Sequence, residues 1–179
     1  RIPSTSLQQS TAMQARVERW NAGVAASGAE LLGRNARRLT RTRGGESTLG
    51  DLVTDAMREA VGADIAFQNS GGLRADLPEG VVTRGAIYEV MPFDNTIVTM
   101  ELTGAEVRRA LEDGLQGGRV TQVSGLRFSF DLTRSEMQRV TTLLDAGGAP
   151  FDTTRTWKVA VNNFMAGGGD DYSTLARGK

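Results

Sequence analysis

The stretch that most constrains this chain is Asn162-Asn163-Phe164-Met165-Ala166-Gly167-Gly168-Gly169-Asp170-Asp171-Tyr172, directly after the β-like run Trp157-Lys158-Val159-Ala160-Val161. Three consecutive glycines contribute nothing to a core and lose the most backbone entropy on folding; what they permit is positive φ and close approach of the backbone to something else. An aromatic stands before the turn, and two carboxylates and a second aromatic follow it. Strand, aromatic, Gly-rich turn and Asp together describe a binding loop with a flat surface, exposed N–H groups and a fixed acceptor. The competing reading is a β-turn closing against the C-terminus.

A second loop repeats the theme. The short apolar strand Asp64-Ile65-Ala66-Phe67-Gln68 runs into Asn69-Ser70-Gly71-Gly72-Leu73-Arg74. An amide and a guanidinium beside glycines suit phosphate or ribose, whereas the alternative is a tight turn. A third candidate is Arg41-Thr42-Arg43-Gly44-Gly45-Glu46-Ser47, a loop feeding a helix capped by Ser47, where an anion can sit beside Arg43. That helix carries Leu49, Leu52, Val53, Ala56 and Met57 on its apolar face, with Asp51, Asp55 and Arg58 opposite.

The remaining pattern alternates strands and helices. Leu7 to about Ala26 reads as a weakly apolar helix ended by Ser27-Gly28, with residues 1–6 a disordered lead-in. Glu30 to Thr40 reads as a poorly alternating strand. Val81–Thr83 is a brief strand, and Thr83 caps a helix over Arg84–Val90. Met91-Pro92-Phe93-Asp94-Asn95 breaks that helix; Phe93, taken alone, fits a packing plug. Thr96–Leu102 alternates as a strand. Thr103-Gly104-Ala105-Glu106 is a capping box opening a helix to about Leu115, with Arg108 and Arg109 on its solvated face. After the Gly117-Gly118 loop, Val120–Val123, Leu126–Leu132 and Arg139–Leu144 read as strands, the second with Leu126, Phe128, Phe130 and Leu132 inward.

The 179 residues fit one domain of ordinary size, or one domain with an extension. Basic and acidic residues balance at 21 each, so the whole chain is not steered toward nucleic acid or anionic membrane. Arg34, Arg37, Arg38, Arg41 and Arg43 form a local basic run without the interleaved aromatics that single-strand binders use for stacking, so a solvated edge strand competes with a nucleic-acid-binding module. The absence of Cys removes disulfides and thiolate chemistry, and the absence of His removes the commonest general base and metal ligand. No apolar run approaches the length that spans a bilayer. No signal peptide is visible and the first residue is not Met, as expected of a mature protein or an excised domain.

Taken together, Glu46-Ser47-Thr48-Leu49-Gly50-Asp51-Leu52 with Asp55-Ala56-Met57, then Asn69-Ser70-Gly71-Gly72-Leu73-Arg74, Met91-Pro92-Phe93-Asp94-Asn95 and Asn163-Phe164-Met165-Ala166-Gly167-Gly168-Gly169-Asp170 resemble the C-terminal domain of the 5′-nucleotidase family. That family includes UDP-sugar hydrolases and 2′,3′-cyclic-nucleotide phosphodiesterases. The resemblance implies an α/β fold, a mixed β-sheet flanked by helices, over residues 29–179, with residues 1–28 a lead-in and interdomain connector helix. It implies a nucleotide-specificity role: Phe93 and Phe164 clamp the base, Asp170 accepts from the ribose hydroxyls, and Asn69, Arg74, Arg43 and Arg41 lie near phosphate and ribose. Asp171 intervenes where the family often has Gly, which leaves open which Asp meets the ribose. The resemblance further implies no catalytic or metal-ligating residue and no cofactor in this chain. Two divalent metal ions and the hydrolytic machinery are expected in an N-terminal metallophosphoesterase partner domain. The implied location is periplasmic, secreted or cell-surface, and neither a nucleic-acid partner nor a membrane span is implied. A thiosulfohydrolase branch with a similar domain pair has no need of a base clamp. The remaining alternative is a structural or interaction domain with a vestigial site.

Overall fold

The computed structural model describes residues 10–177. In chain order its elements are α1 (Thr11–Gly28), β1 (Leu31–Asn35), α2 (Thr48–Val61), β2 (Ile65–Gln68), β3 (Gly80–Thr83), α3 (Arg84–Val90), β4 (Ile97–Thr103), α4 (Gly104–Gly114), β5 (Gln122–Ser124), β6 (Leu126–Phe130), β7 (Val140–Asp145), β8 (Thr156–Asn162) and α5 (Asn163–Ala166). The α/β expectation holds. A four-stranded mixed sheet in the order β4-β8-β2-β5 forms the centre, and two-stranded pairs β1–β3 and β6–β7 flank it.

Strand β8 runs parallel to β2, while β4 is antiparallel to β8 and β5 is antiparallel to β2. The two inner strands are covered on both faces. Ile65, Phe67, Val159 and Val161 point into a core shared with α4 and the β6–β7 hairpin. Ala66 and Ala160 point into a second core with Leu49, Val53 and Met57 of α2, and with Leu73, Leu77 and Val90. Alternate residues thus serve opposite faces, as the period of a strand requires. The near-continuous apolar runs of β2 and β8 follow from burial on both sides.

Local signals set most boundaries. The Ser47 hydroxyl accepts from the Gly50 amide at the start of α2, and Gly62 closes that helix in the left-handed conformation at φ 57°. Thr83 caps α3. Thr103 and Glu106 form the expected capping box of α4.

Several expectations are corrected by packing. The strand expected over 30–40 is only β1, followed by an isolated bridge between Leu39 and Leu77. Leu52 and Ala56 of α2 are exposed, because the second core takes only the Leu49/Val53/Met57 row. Leu132 lies beyond β6 and is exposed. Arg108 is half-buried rather than fully solvated: its guanidinium donates to the Val140 carbonyl and ties α4 to β7, while Arg109 is exposed as expected. Helix α1 begins at Thr11, capped by Ser10, and runs to Gly28; the expected lead-in and Leu7–Gln9 lie outside the described residues. Met13, Val17 and Trp20 on α1 are exposed, so this helix adds nothing to either core through them. It meets the domain where Gly28 lies against Gly85, close enough that a Cβ on Gly85 would reach the Gly28 carbonyl oxygen at 3.0 Å.

Candidate functional site

The sheet order places five chain segments at one edge. Because β2 and β8 are parallel, the loops after Gln68 and after Asn162 leave on the same side. Strands β4 and β5 run the opposite way, so their starting ends lie there too: Ile97 pairs with Asn162, and Gln122 pairs with Gln68. The segments before them carry Phe93 and Arg119. The start of α2 joins this edge through Gln122, whose Oε1 accepts from the Ser47 amide at 2.9 Å and from its hydroxyl at 2.7 Å. That brings in Arg43. Ligands of open α/β sheets sit outside the carboxyl ends of parallel strands, and this edge is where a cleft opens.

The cleft holds about 350 Å³ and is lined by Arg43, Asn69, Gly71, Gly72, Arg74, Phe93, Asn95, Arg119, Phe164 and Asp170. Six of the seven residues singled out from the sequence therefore converge. Arg41 is not among the lining residues; its backbone N–H donates to Asp76 at 3.0 Å, beside the Arg38–Asp76 ion pair at 2.7 Å. These contacts hold Asp76 below the usual carboxylate range, the Arg41 amide contributing most.

Phe93, in the loop between α3 and β4, and Phe164, in the short helix α5, are 50% and 45% exposed. Such exposure is uncommon for a packing plug and is what a stacking surface needs. The Arg74 guanidinium lies 5.9 Å from the Phe93 ring centroid. The two aromatic loops are tied together, since Asn163 donates to the Thr96 carbonyl and its side chain accepts from the Thr96 amide, both at 2.9 Å. Of the three glycines, only Gly168 has positive φ, at 85°. Gly169 serves close approach: a Cβ there would lie 2.4 Å from the Phe164 ring. Left-handed conformations fall also on Asp170 (φ 56°) and Asp171 (φ 69°), where non-glycine residues are strained.

A polar chain holds Asp170 in place. Buried Asn162 caps α5 by accepting from the Met165 amide at 2.8 Å. Its amide nitrogen donates to Asn69 Oδ1 and to Gln68 Oε1, each at 3.0 Å. Asn69 is thereby oriented to donate from Nδ2 to Asp170 Oδ2 at 2.7 Å. Arg119 Nη1 meets Asp170 Oδ1 at 2.8 Å, and Arg119 Nη2 meets Asp171 Oδ2 at 3.0 Å. Both oxygens of Asp170 are held, one by Asn69 and one by Arg119, and each retains accepting capacity. The Asp171 side chain is 71% exposed, against 22% for Asp170, and does not line the cleft. Behind them the Tyr172 hydroxyl bonds Thr121 Oγ1 at 2.7 Å; burial pushes its pKa well up, so it remains a protonated phenol.

Sequence reasoning missed Arg119, Asn95 and the orienting role of Asn162. Asn95 lies inside a motif already singled out. Arg119 carried only one signal, its place after Gly117-Gly118, and that signal gains meaning once β5 is known to pair with β2. Among the described residues, no group of three or more His, Cys, Asp or Glu is placed to hold a metal ion, and no helix is long and apolar enough to cross a membrane.

The family described as 5′-nucleotidase, C-terminal domain, matches residues 23–177. The Trifunctional nucleotide phosphoesterase protein YfkN of Bacillus subtilis is 38% identical over 143 residues, covering 73% of this chain and 10% of that protein. The Cell wall protein Lmo0130 of Listeria monocytogenes is 34% identical over 147 residues, 74% of this chain and 19% of that protein. The crystal structure of a 5′-nucleotidase precursor from Thermus thermophilus is similar with a TM-score of 0.85 and 38% identity, over 93% of this chain and 36% of that one. The chain thus spans no more than about a third of these proteins' length.

Proposed function

The chain belongs to the 5′-nucleotidase C-terminal domain family, and on that premise we propose that it is the nucleotide-specificity domain of a 5′-nucleotidase-type phosphohydrolase. The observation that carries the reading is the cleft itself: two half-exposed phenylalanines, a carboxylate anchored at both oxygens, and Arg43 and Arg74 in the same lining. Phe93 and Phe164 stack a nucleobase, with little demand on which base, because every base has a π-face. Asp170 accepts from the ribose hydroxyls. Arg43 and Arg74 line the cleft and form no ion pair among the described residues; Arg74 donates from Nη1 to the Gly71 carbonyl at 3.3 Å, and its remaining donors and those of Arg43 suit non-bridging phosphate oxygens.

Hydrolysis belongs to a metallophosphoesterase domain that these residues do not include. Such a domain would hold two divalent metal ions, and the chemistry they would supply is the activation of water for attack on phosphorus. This chain binds and orients substrate and is catalytically inactive by itself. A periplasmic, secreted or cell-surface location accords with the similarity to a protein named for the cell wall.

The test is an NMR titration of the chain with adenosine and AMP, beside Phe93→Ala and Phe164→Ala. Half of the composite site is missing, so the expected Kd is on the order of millimolar, about −4 kcal/mol. Saturable shifts in the wild type that vanish in both variants support the reading. If a protein carrying both domains also shows no saturable shifts, the reading is wrong. Oligonucleotide binding that falls steeply with salt would favour the Arg-rich nucleic-acid module instead.

A further inference from the structure

The segment Arg119-Val120-Thr121 precedes β5 and has no part in the resemblance to known motifs, yet it ties together two walls of the cleft, the Asp170–Tyr172 turn and the Arg43 loop. Arg119 forks onto Asp170 at 2.8 Å and Asp171 at 3.0 Å. The Val120 amide donates to the Arg43 carbonyl at 2.7 Å. Thr121 meets the hydroxyl of Tyr172, the residue that follows the two aspartates. The segment is fixed from below by Gln122, which is buried and donates to the carbonyls of Gly45 and Val120 at 2.9 and 3.2 Å.

Asp170 and Asp171 are consecutive non-glycine residues in the left-handed region, a conformation that needs to be over-determined by its surroundings. Asn69 secures one oxygen of Asp170, but a single hydrogen bond leaves the carboxylate free to rotate about it. The second anchor, Arg119 on the other oxygen, removes that freedom. A carboxylate held at both oxygens offers two acceptors at fixed separation, and a vicinal diol offers two donors in matching arrangement. Arg119 is a guanidinium, planar and always charged, so its fork imposes direction where an ammonium would give only a point charge.

We infer that Arg119 is a positioning residue that aims Asp170 at a vicinal diol and so sets a preference of this cleft for ribonucleosides over their 2′- and 3′-deoxy counterparts. The inference rests on the nucleotide reading above, and adds to it the residue that confers sugar selectivity.

The experiment is an NMR titration of the chain with adenosine, 2′-deoxyadenosine and 3′-deoxyadenosine, in the wild type, Arg119→Ala and Arg119→Lys. In parallel, the Asn69 side-chain amide signals are followed without ligand. The wild type is expected to prefer adenosine by about tenfold, the scale of one hydrogen bond to a charged acceptor. Arg119→Ala lowers that ratio to about twofold or less with little change for the deoxynucleosides, and shifts the Asn69 amide signals, because Asp170 is then held at one oxygen only. Arg119→Lys keeps the charge but cannot fork, and lowers the ratio too. A folded Arg119→Ala that keeps the wild-type ratio overturns the inference, as does an equal loss for all three ligands or an Asn69 amide that does not move. A full ratio in Arg119→Lys overturns the role of the fork. Absence of saturable shifts for any nucleoside in the wild type overturns the sugar assignment; repeated in a protein with both domains, it removes the nucleotide reading itself. Binding without sugar preference in the wild type overturns the sugar assignment alone.

Discussion

At the scale of single residues, Gly169 and Phe164 form one unit. The glycine has an ordinary backbone φ; its value lies in the space that the ring occupies, 2.4 Å from where a Cβ would stand. Gly169→Ala is therefore expected to swing a flexible ring aside at little cost to folding. Adenosine affinity then falls about as far as in Phe164→Ala, roughly 1–3 kcal/mol, while the melting temperature changes little. Titration and thermal melts on the same two variants check this; a Gly169→Ala with wild-type affinity would show that the ring position is unimportant. Gly104 is a different case. A Cβ there would lie 2.1 Å from the Asp152 carbonyl oxygen and 2.6 Å from the Thr153 Cα, and backbone cannot move aside as a side chain does. Gly104→Ala should be strongly destabilising, visible as a large drop in urea midpoint.

At the scale of elements, two devices join segments distant in sequence. Gln122 at the start of β5 is buried and makes four hydrogen bonds to the loop that opens α2 and to its own neighbour Val120. Gln122→Leu leaves the Ser47 amide and the Gly45 carbonyl without these partners, so a loss of roughly 2–4 kcal/mol is expected from chemical denaturation. Thermal melts across pH test the other device, the capping box of α4. The Thr103 amide and hydroxyl both donate to the Glu106 carboxylate at 2.8 Å and hold its pKa below the ordinary 4.5, the amide contributing most. A carboxylate with a lowered folded-state pKa stabilises the fold fully above its unfolded value, and that contribution is lost as pH falls through the lowered value. Glu106→Gln is therefore expected to lower the melting temperature at pH 7 and to make progressively less difference below pH 4.5. An equal deficit at pH 7 and pH 3 would count against the carboxylate as the stabilising species.

At the scale of the whole molecule, one central sheet separates two cores and opens the candidate cleft at one edge, with α1 standing apart. Because Met13, Val17 and Trp20 are exposed, replacing Met13 and Trp20 together by Ser should leave stability within about 0.5 kcal/mol of the wild type per site. A larger loss would mean that α1 packs against the cores in solution.

Sequence alone determined the alternation of elements, three helix caps and the order of the ligand-type loops. These depend on local chemistry: a hydroxyl or carboxylate within reach of free amides, a glycine where a side chain would clash, and apolar periodicity. Six of seven residues singled out from motifs share one cleft, because each motif adjoins a strand end or a helix start at the same edge. Sequence also suggested a family whose match spans residues 23–177. It could not exclude Arg41, whose neighbours resemble those of Arg43, nor find Arg119, whose partners lie about 50 residues away. Nor could it tell that Leu52, Ala56 and Leu132 stay exposed while Arg108 reaches a carbonyl across the hairpin. Those outcomes were decided by strand order and direction. A sheet ordered β4-β8-β2-β5 with one parallel pair brings five loops together, and long-range pairing of this kind leaves no trace in the local pattern of any one of its strands.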